Sequence, residues 1–156
     1  MPYYHIYGHV GVVTTAYKTA AQGWMTGATK RGKACEINLG AIDNPNATDT
    51  FLDWDLSRMT ATGAGANTAW TPTAYDPADS AAINTSGVNA TAEATAITAN
   101  STLKRWGMNQ RNTLRWVAPQ ESQMLIWPSV AANGLVLRVL SSTYASSVAG
   151  TLDFME

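Results

Sequence analysis

Residues 103–140, LKRWGMNQRNTLRWVAPQESQMLIWPSVAANGLVLRVL, form the stretch that decides the predicted fold. It contains three apolar runs, at 111–117 (RNTLRWV), 122–127 (SQMLIW) and 135–140 (LVLRVL), separated by proline or by an Asn-Gly pair. Proline cannot donate to a strand ladder and Asn-Gly is a strong turn pair, so each run is predicted to be one strand. Their hairpin spacing predicts that they form the centre of an antiparallel sheet.

Alternating apolar and polar residues predict further strands on both sides of this stretch. These strands are at 33–39 (KACEINL), 51–59 (FLDWDLSRM), 69–73 (a short edge strand), about 94–99, and 150–155 (GTLDFM). The alternation places Cys35 and Trp54 among the inward-facing side chains. The sequence therefore predicts about eight strands in all, in an all-β, antiparallel β-sandwich or jelly roll.

Two other segments complete the predicted architecture. Residues 76–79 (DPAD) have an aspartate at the N-cap, a proline at the first helical position and a second aspartate in the first turn. This pattern predicts one short helix from residue 77 to about residue 83. Residues 1–32 show no helical stripe and are predicted to form an extended N-terminal arm, with one short strand near residues 10–15. Residues 33–156 are predicted to form a single β-sandwich domain.

Tyrosines in the predicted arm are the candidate contacts with a partner. Tyr3, Tyr4 and Tyr7 lie close together near the start of the chain. Tyrosine offers a large amphipathic contact area at low cost in conformational entropy, which suits docking. The alternative is that the arm covers one edge of its own domain.

The composition limits the possible environments and partners. Charged residues make up 13% of the chain, against about 25% in a typical domain, and the net charge is −1. A surface so poor in charge suits a protein largely covered by neighbours, although a stable monomer with a polar surface would also fit. No basic field for nucleic acid is present, and no apolar run is long enough to span a bilayer. The N-terminal sequence lacks a signal-peptide pattern, which predicts synthesis in the cytoplasm.

The residues that could carry chemistry favour a protein without catalysis, metal or cofactor. His5 and His9 have the four-residue spacing of zinc ligands on a helix, but their segment is not helical and no third ligand is near. Cys35 is the only cysteine, so no intrachain disulfide can form. Its predicted inward position suggests a small buried side chain, and a nucleophile would need a histidine within reach.

Asp53 and Asp55 share one face of the predicted strand at 51–59. Two such carboxylates could bind a cation or act as a glycosidase pair. The preferred interpretation is a solvated face or salt bridges across strands to Arg58, Arg111 or Arg115.

The tryptophans raise a second functional possibility, a carbohydrate-recognising β-sandwich domain, which with the resemblance described below would belong to a phage tail or fibre component. Such a site would need two or three coplanar exposed rings. Trp54 and Trp116 lie in apolar register and are predicted to fill the core. Trp70, Trp106 and Trp127 remain the candidates for a sugar-stacking platform.

Three short segments also carry a resemblance to a known class of proteins. They are residues 30–33 (KRGK) ahead of a strand, residues 76–79 (DPAD) and residues 109–118 (NQRNTLRWVA). Together they resemble small virion proteins of tailed bacteriophages, of the kind that decorate or cement the capsid. The resemblance covers about residues 13–156, and the first dozen residues lie outside it.

The resemblance implies a location and a set of partners. A capsid decoration protein of this kind is a β-sandwich or jelly roll on the capsid surface of the virion, commonly a homotrimer. Its partner is the major capsid protein, whose neighbouring subunits it binds and stabilises. It is not an enzyme, carries no cofactor and makes no direct contact with nucleic acid or membrane.

Overall fold

The computed structural model describes residues 1–27, 30–61, 68–90, 93, 96–128 and 130–156. Its strands lie in two antiparallel six-stranded sheets, which confirms the predicted all-β sandwich. In chain order the strands are β1 Tyr3–Val10, β2 Lys18–Trp24, β3 Lys33–Ala41, β4 Phe51–Met59, β5 Thr68–Trp70, β6 Thr73–Ala74, β7 Thr85–Val88, β8 Ile97–Asn109, β9 Leu114–Val117, β10 Leu125–Ile126, β11 Gly134–Leu140 and β12 Val148–Met155. The sequence predicted about eight strands, because it missed β1, β2 and β7 and merged β5 with β6.

The two sheets are built from strands distant in sequence. Sheet A has the order β10-β3-β12-β1-β6, and β9 also pairs with β3. Sheet B has the order β5-β7-β2-β11-β4-β8. Within the described residues, no helix is long and apolar enough to cross a membrane.

A shared apolar core lies between the sheets. β4 contributes Leu52, Trp54 and Leu56 from alternate positions, as its sequence pattern predicted, and all three are fully buried. β12 contributes Leu152 and Phe154 from the facing sheet. The inward faces therefore follow the two-residue period of a pleated strand.

Trp127 connects the two sheets near the end of this core. Its indole Nε1 donates to the backbone oxygen of Gly23 in β2 at 2.5 Å, and its ring meets Phe154 of β12 edge-on, with centroids 4.6 Å apart. A Cβ on Gly32 would lie 1.2 Å from the Trp127 ring, so only glycine fits there. The chain thus provides a slot in which this large side chain is buried with its polar atom satisfied.

The N-terminal segment differs from the predicted arm. Tyr3–Val10 is β1, which pairs with β12 over its whole length and with β6 on its other side. Lys18–Trp24 is β2, in the interior of sheet B between β7 and β11. The predicted strand near residues 10–15 is also wrong, since β1 ends at Val10. Small residues obscured β2, because its alternation lies in Thr, Ala and Gly rather than in large apolar side chains.

The pairing predicted for residues 103–140 is wrong, although strands occur in each run. β9 and β10 both pair with β3 in sheet A, whereas β11 lies in sheet B. Pro119 and Pro128 end the first two runs, so each contributes only a short strand. β8 begins at Ile97 and continues far beyond the predicted strand at 94–99.

The predicted helix at 77–83 is not formed. Asp76 does satisfy a backbone donor, since its Oδ1 accepts from the Ala78 nitrogen at 2.8 Å, and its carbonyl accepts from the Asp79 nitrogen at 3.0 Å. The result is one turn, because no apolar stripe follows to stabilise further turns. A single 3-10 turn at Glu121–Gln123 is the helical element among the described residues.

Candidate binding surface

One face of the sandwich, the outer side of sheet A, carries exposed aromatic side chains. In β1 the buried residues Tyr4, Ile6 and Val10 alternate with Tyr3, His5 and Tyr7, which lie on the other side of the strand and are partly or well exposed. Tyr75 joins them because it follows β6, and its backbone nitrogen donates to the oxygen of Tyr3 at 3.0 Å. We call this surface the tyrosine face; its members are Tyr3, His5, Tyr7, Cys35, Glu36, Asn38, Tyr75, Arg115, Thr151 and Asp153.

The tyrosines of this face are open to solvent. Tyr3 is 46% exposed, Tyr7 39% and Tyr75 62%. Tyr7 also lies against Trp70 of β5, with ring centroids 6.4 Å apart. Three aromatic rings on one face provide a substantial apolar area that the folded chain leaves uncovered.

Tyr4 does not belong to this surface, although the sequence grouped it with Tyr3 and Tyr7. It is fully buried, its ring stacks on Phe154 at 5.4 Å, and its hydroxyl donates to the Ser80 oxygen at 2.8 Å. The strand period puts Tyr4 on the opposite side from its two neighbours. In an arm all three tyrosines could have been exposed, whereas in a paired strand Tyr4 is buried and Tyr3 and Tyr7 are not.

Polar pairs run across the tyrosine face from strand to strand. His5 Nδ1 lies 2.5 Å from Asp153 Oδ1, and Asp153 is only 4% exposed. Arg115 donates to both carboxylate oxygens of Glu36, at 2.6 and 2.9 Å. This pairing lowers the pKa of Glu36 below its usual range, so Glu36 and Arg115 largely cancel each other's charge.

Three concavities lie on or beside this face. The first, of about 330 Å³, is lined by Tyr3, Cys35, Glu36, Tyr75 and Asp153, and we call it the Tyr3–Tyr75 cleft. A second, of about 380 Å³, adjoins it at His5 and β6, on the far side of Tyr75. A third, of about 430 Å³, lies between β3 and β9 around Asn38 and Arg115.

Cys35 lines the cleft instead of facing the core as predicted. Ala34 and Ile37 take the buried positions, because the β3–β12 register shifts between Asp153 and Phe154. The Cys35 thiol donates to the Asp153 backbone oxygen at 3.3 Å. Burial, and then the charge of Asp153, raise its pKa to about 11, so the thiol is protonated at neutral pH.

This protonated thiol is unlike a cysteine nucleophile, which needs thiolate character. The sequence analysis placed both histidines in the predicted N-terminal arm and therefore away from Cys35. The structure corrects that separation, since His5 contacts the same aspartate whose backbone accepts from the thiol. The alternation in the last strand already placed Asp153 on the outer side. Its contact with His5 could not be predicted, because residues 1–32 were interpreted as an arm.

Asp53 and Asp55 lie on the outer side of sheet B, and both are buried in ion pairs. Arg105 binds Asp53 with two nitrogens, and Tyr17 donates to the same carboxylate at 2.9 Å. Arg138 Nε lies 2.7 Å from Asp55 Oδ1. Salt bridges were expected, but the predicted partners are wrong, because β8 and β11 are the strands that flank β4. Two carboxylates already held by guanidinium groups make a poor glycosidase pair.

The rejected arginine partners have other contacts. Arg115 binds Glu36 in sheet A, and Arg111 Nε lies 2.8 Å from Asp49. Among the described residues, no group of three or more His, Cys, Asp or Glu side chains is placed to hold a metal ion.

The tryptophans do not form an open stacking platform. Trp54 and Trp127 are fully buried, and Trp70, Trp106 and Trp116 are half-buried against the core. Trp116 was predicted to lie in the core; instead it sits at the sandwich edge, with Lys104 Nζ 5.4 Å from its ring centroid. Coplanar exposed tryptophans, which the carbohydrate alternative needs, are absent from the part of the chain that the structure describes.

In comparisons with known proteins, no family model, curated protein or solved structure matches this chain. Its function is therefore argued from the geometry of the tyrosine face and from the sequence resemblance.

Proposed function

We propose that this chain is a structural binding protein that docks on neighbouring protein subunits through the tyrosine face, as a capsid decoration protein does. The observation that carries the proposal is the set of exposed tyrosines Tyr3, Tyr7 and Tyr75 on one side of sheet A. Tyrosine is enriched in protein interfaces, because its ring buries a large area with few rotatable bonds.

The two outer faces of the sandwich differ in a way that supports this choice. On sheet B, Asp53 is paired with Arg105 and Asp55 with Arg138. On sheet A the polar groups pair across the strands, while the tyrosine rings between them stay exposed. A rim of satisfied polar groups around apolar anchors is the usual anatomy of a protein interface.

The partner proposed from the resemblance is the major capsid protein, at the capsid surface of a tailed-phage virion. A specific contact buries roughly 800 Å² on each partner, which fits one face of a small sandwich. Repetition of that contact around a capsid makes individually weak contacts effective together. A homotrimer would add further valency.

The proposal is tested by sedimentation with purified, expanded empty heads of the phage whose genome carries the gene. The wild-type chain is expected to co-sediment with the heads, and the double variant Tyr3→Ser/Tyr7→Ser to remain in the supernatant. Val12→Ser is the matched control, since Val12 is also exposed but lies beyond β1. Failure of the wild-type chain to co-sediment, or equal loss in the control, contradicts the proposal.

A further inference from the structure

The Tyr3–Tyr75 cleft combines aromatic walls with a buried carboxylate. Tyr3 and Tyr75 come from neighbouring strands and are joined by a backbone hydrogen bond of 3.0 Å. Asp153 lies between them and β3, only 4% exposed, and lines the same cavity of about 330 Å³. This volume is at the lower end of ligand pockets, which are roughly 300–1,000 Å³, and is sufficient for one long side chain.

The charges around the cleft do not cancel. Glu36 is neutralised by the two hydrogen bonds from Arg115. The Asp153 carboxylate is paired with His5 Nδ1 at 2.5 Å and with the Tyr75 hydroxyl, and neither partner is a permanent cation, since an imidazole is charged only when protonated. Among the residues that the structure describes, no lysine or arginine lines the cleft. The cleft therefore holds an acidic side chain with no permanent cation beside it in the described part of the chain.

The titration of the cleft's own groups is consistent with this negative potential. Partial burial, and then the charge of Asp153, raise the pKa of Tyr75 to about 12. Burial disfavours a charge of either sign, so it is the second cause, the charge of Asp153, that makes the potential in the cleft negative. Tyrosine faces attract cations as well, through the negative potential above the ring.

We propose that the Tyr3–Tyr75 cleft receives one basic side chain, an arginine or lysine, from the docked partner protein. The charged group lies between the tyrosine rings and binds Asp153, in the manner of an aromatic cage. This inference rests on the proposed function, because it names the chemistry that the partner presents at the tyrosine face. It also gives the docking a polarity, since the cleft occupies one end of that face.

The inference can be tested on the free chain with small probes. The probe is Nα-acetyl-arginine-N-methylamide, and the neutral comparison is the citrulline analogue, which keeps the shape and loses the charge. Binding is followed by shifts of backbone amide signals in ¹⁵N-labelled protein during titration. Saturable shifts are expected at Tyr3, Cys35, Tyr75 and Asp153. The citrulline analogue is expected to bind about tenfold more weakly, since hydrogen bonds to charged groups are the stronger ones.

Variants separate the cleft from the rest of the tyrosine face. Tyr3→Leu and Tyr75→Leu are each expected to weaken binding of the arginine probe about two- to fivefold, through loss of the cation–π contact. Tyr7→Leu is the matched control and should bind the probe as the wild type does. Asp153→Asn tests the charge, and a spectrum with unchanged dispersion shows that each variant is folded.

Several outcomes would overturn the inference. These are absence of saturable shifts in the wild type, equal binding of the citrulline analogue, equal binding of methyl glucoside, or an equal loss in Tyr7→Leu. The result is independent of the head-binding experiment. A cleft that binds the arginine probe in a chain that ignores capsid heads would refute the proposed function and leave the cleft assignment intact. A chain that co-sediments with capsid heads but does not bind the arginine probe would refute the cleft assignment and leave the proposed function intact.

Discussion

At the scale of single residues, Gly8 in β1 faces β2 with no room for a side chain. A Cβ at this position would lie 2.1 Å from the Ala20 backbone oxygen. Gly8→Ala is therefore expected to force the strands apart and to lower the free energy of unfolding by about 3 kcal/mol, the upper end for overpacking a core. Urea denaturation followed by fluorescence measures the change.

The matched control is Gly11→Ala, just beyond the same strand. A Cβ there has no neighbour within 4 Å, so its effect should stay within about 0.5 kcal/mol. Similar midpoints for the two variants would show that β1 and β2 are not in close contact.

The carboxyl group of Asp53 makes the stability of the fold depend on pH. Hydrogen bonds from Arg105 and then Tyr17 lower the pKa of its carboxyl. The native state therefore binds fewer protons than the unfolded state at acid pH. The stabilisation is fully present above the unfolded pKa of about 3.9 and is lost as the pH falls through the lower native value.

Asp53→Asn should accordingly cost about 1–3 kcal/mol at pH 7, since it removes the buried charged acceptor of the hydrogen bonds from Arg105 and Tyr17. The difference from wild type should shrink as the pH falls below about 4. Asp49→Asn is the control, because the Asp49–Arg111 pair is exposed and its loss should change the free energy of unfolding much less. Equal losses in urea denaturation at pH 7 would contradict the burial of Asp53.

Residue positions were predictable where a strand is regular. The inward set Leu52, Trp54 and Leu56 follows directly from alternation, and the structure buries all three. Cys35 was misplaced because a register irregularity between β3 and β12 changes which side its side chain takes. A bulge depends on the partner strand, so the local sequence carries no signal for it.

At the scale of elements, the role of β1 in stability distinguishes a paired strand from an N-terminal arm. Removal of residues 1–10 would delete the strand between β12 and β6, with the buried side chains Tyr4, Ile6 and Val10. Each contributes about 1.5–3 kcal/mol of burial, and their sum approaches the total stability of an ordinary domain. The truncated chain is expected to be unfolded, as judged by far-ultraviolet circular dichroism.

The full-length variant Tyr3→Ser/Tyr7→Ser provides the control for that truncation. It removes the exposed rings of β1 and leaves the buried ones, so a cooperative unfolding transition should remain. A truncated chain that still unfolds cooperatively would restore the arm interpretation.

Strand existence was easier to predict than strand partners. The runs that contain β9, β10 and β11 each gave a clear local signal. Their pairing is decided by contacts with β3 and with β2 and β4, which lie far away in sequence. The same limit applies to the cleft, because Tyr3, Tyr75 and Asp153 converge only once β1 is placed between β6 and β12.

At the scale of the whole molecule, several groups favour their neutral forms in the folded state. Burial, then the hydrogen bond to Asp53, raise the pKa of Tyr17 to about 12, and the pKa values of Tyr75 and Cys35 are also raised. Between their unfolded and native pKa values, the native state holds more protons than the unfolded state. Stability is therefore complete below about pH 9 and falls as the pH rises toward 12.

The expected observation is a urea midpoint that declines steadily from pH 9.5 to pH 11.5, values chosen to fall within that window. Tyr17→Phe should make the decline shallower, because one of the titrating groups is gone. A midpoint that stays constant over this range would show that these side chains are not held in their native contacts.

The two ends of the sandwich also differ in what they offer to another chain. The outer side of β3 is divided between β9 and β10, and sheet A ends on its other side at the two-residue β6. Sheet B ends on one side at the three-residue β5 and on the other at β8, a strand of 13 residues that pairs only with β4 in the described part of the chain.

A molecule with one long edge strand can pair that strand with the same strand of a second copy, around a two-fold axis. The backbone groups of both edges are then hydrogen-bonded and cannot pair again. Growth into a fibre would need a second unpaired edge strand of similar length. A three-fold rotation cannot pair β8 with β8, so the subunits of a three-membered ring would meet through two different surfaces. If this chain is trimeric, its subunits do not pair β8 with β8.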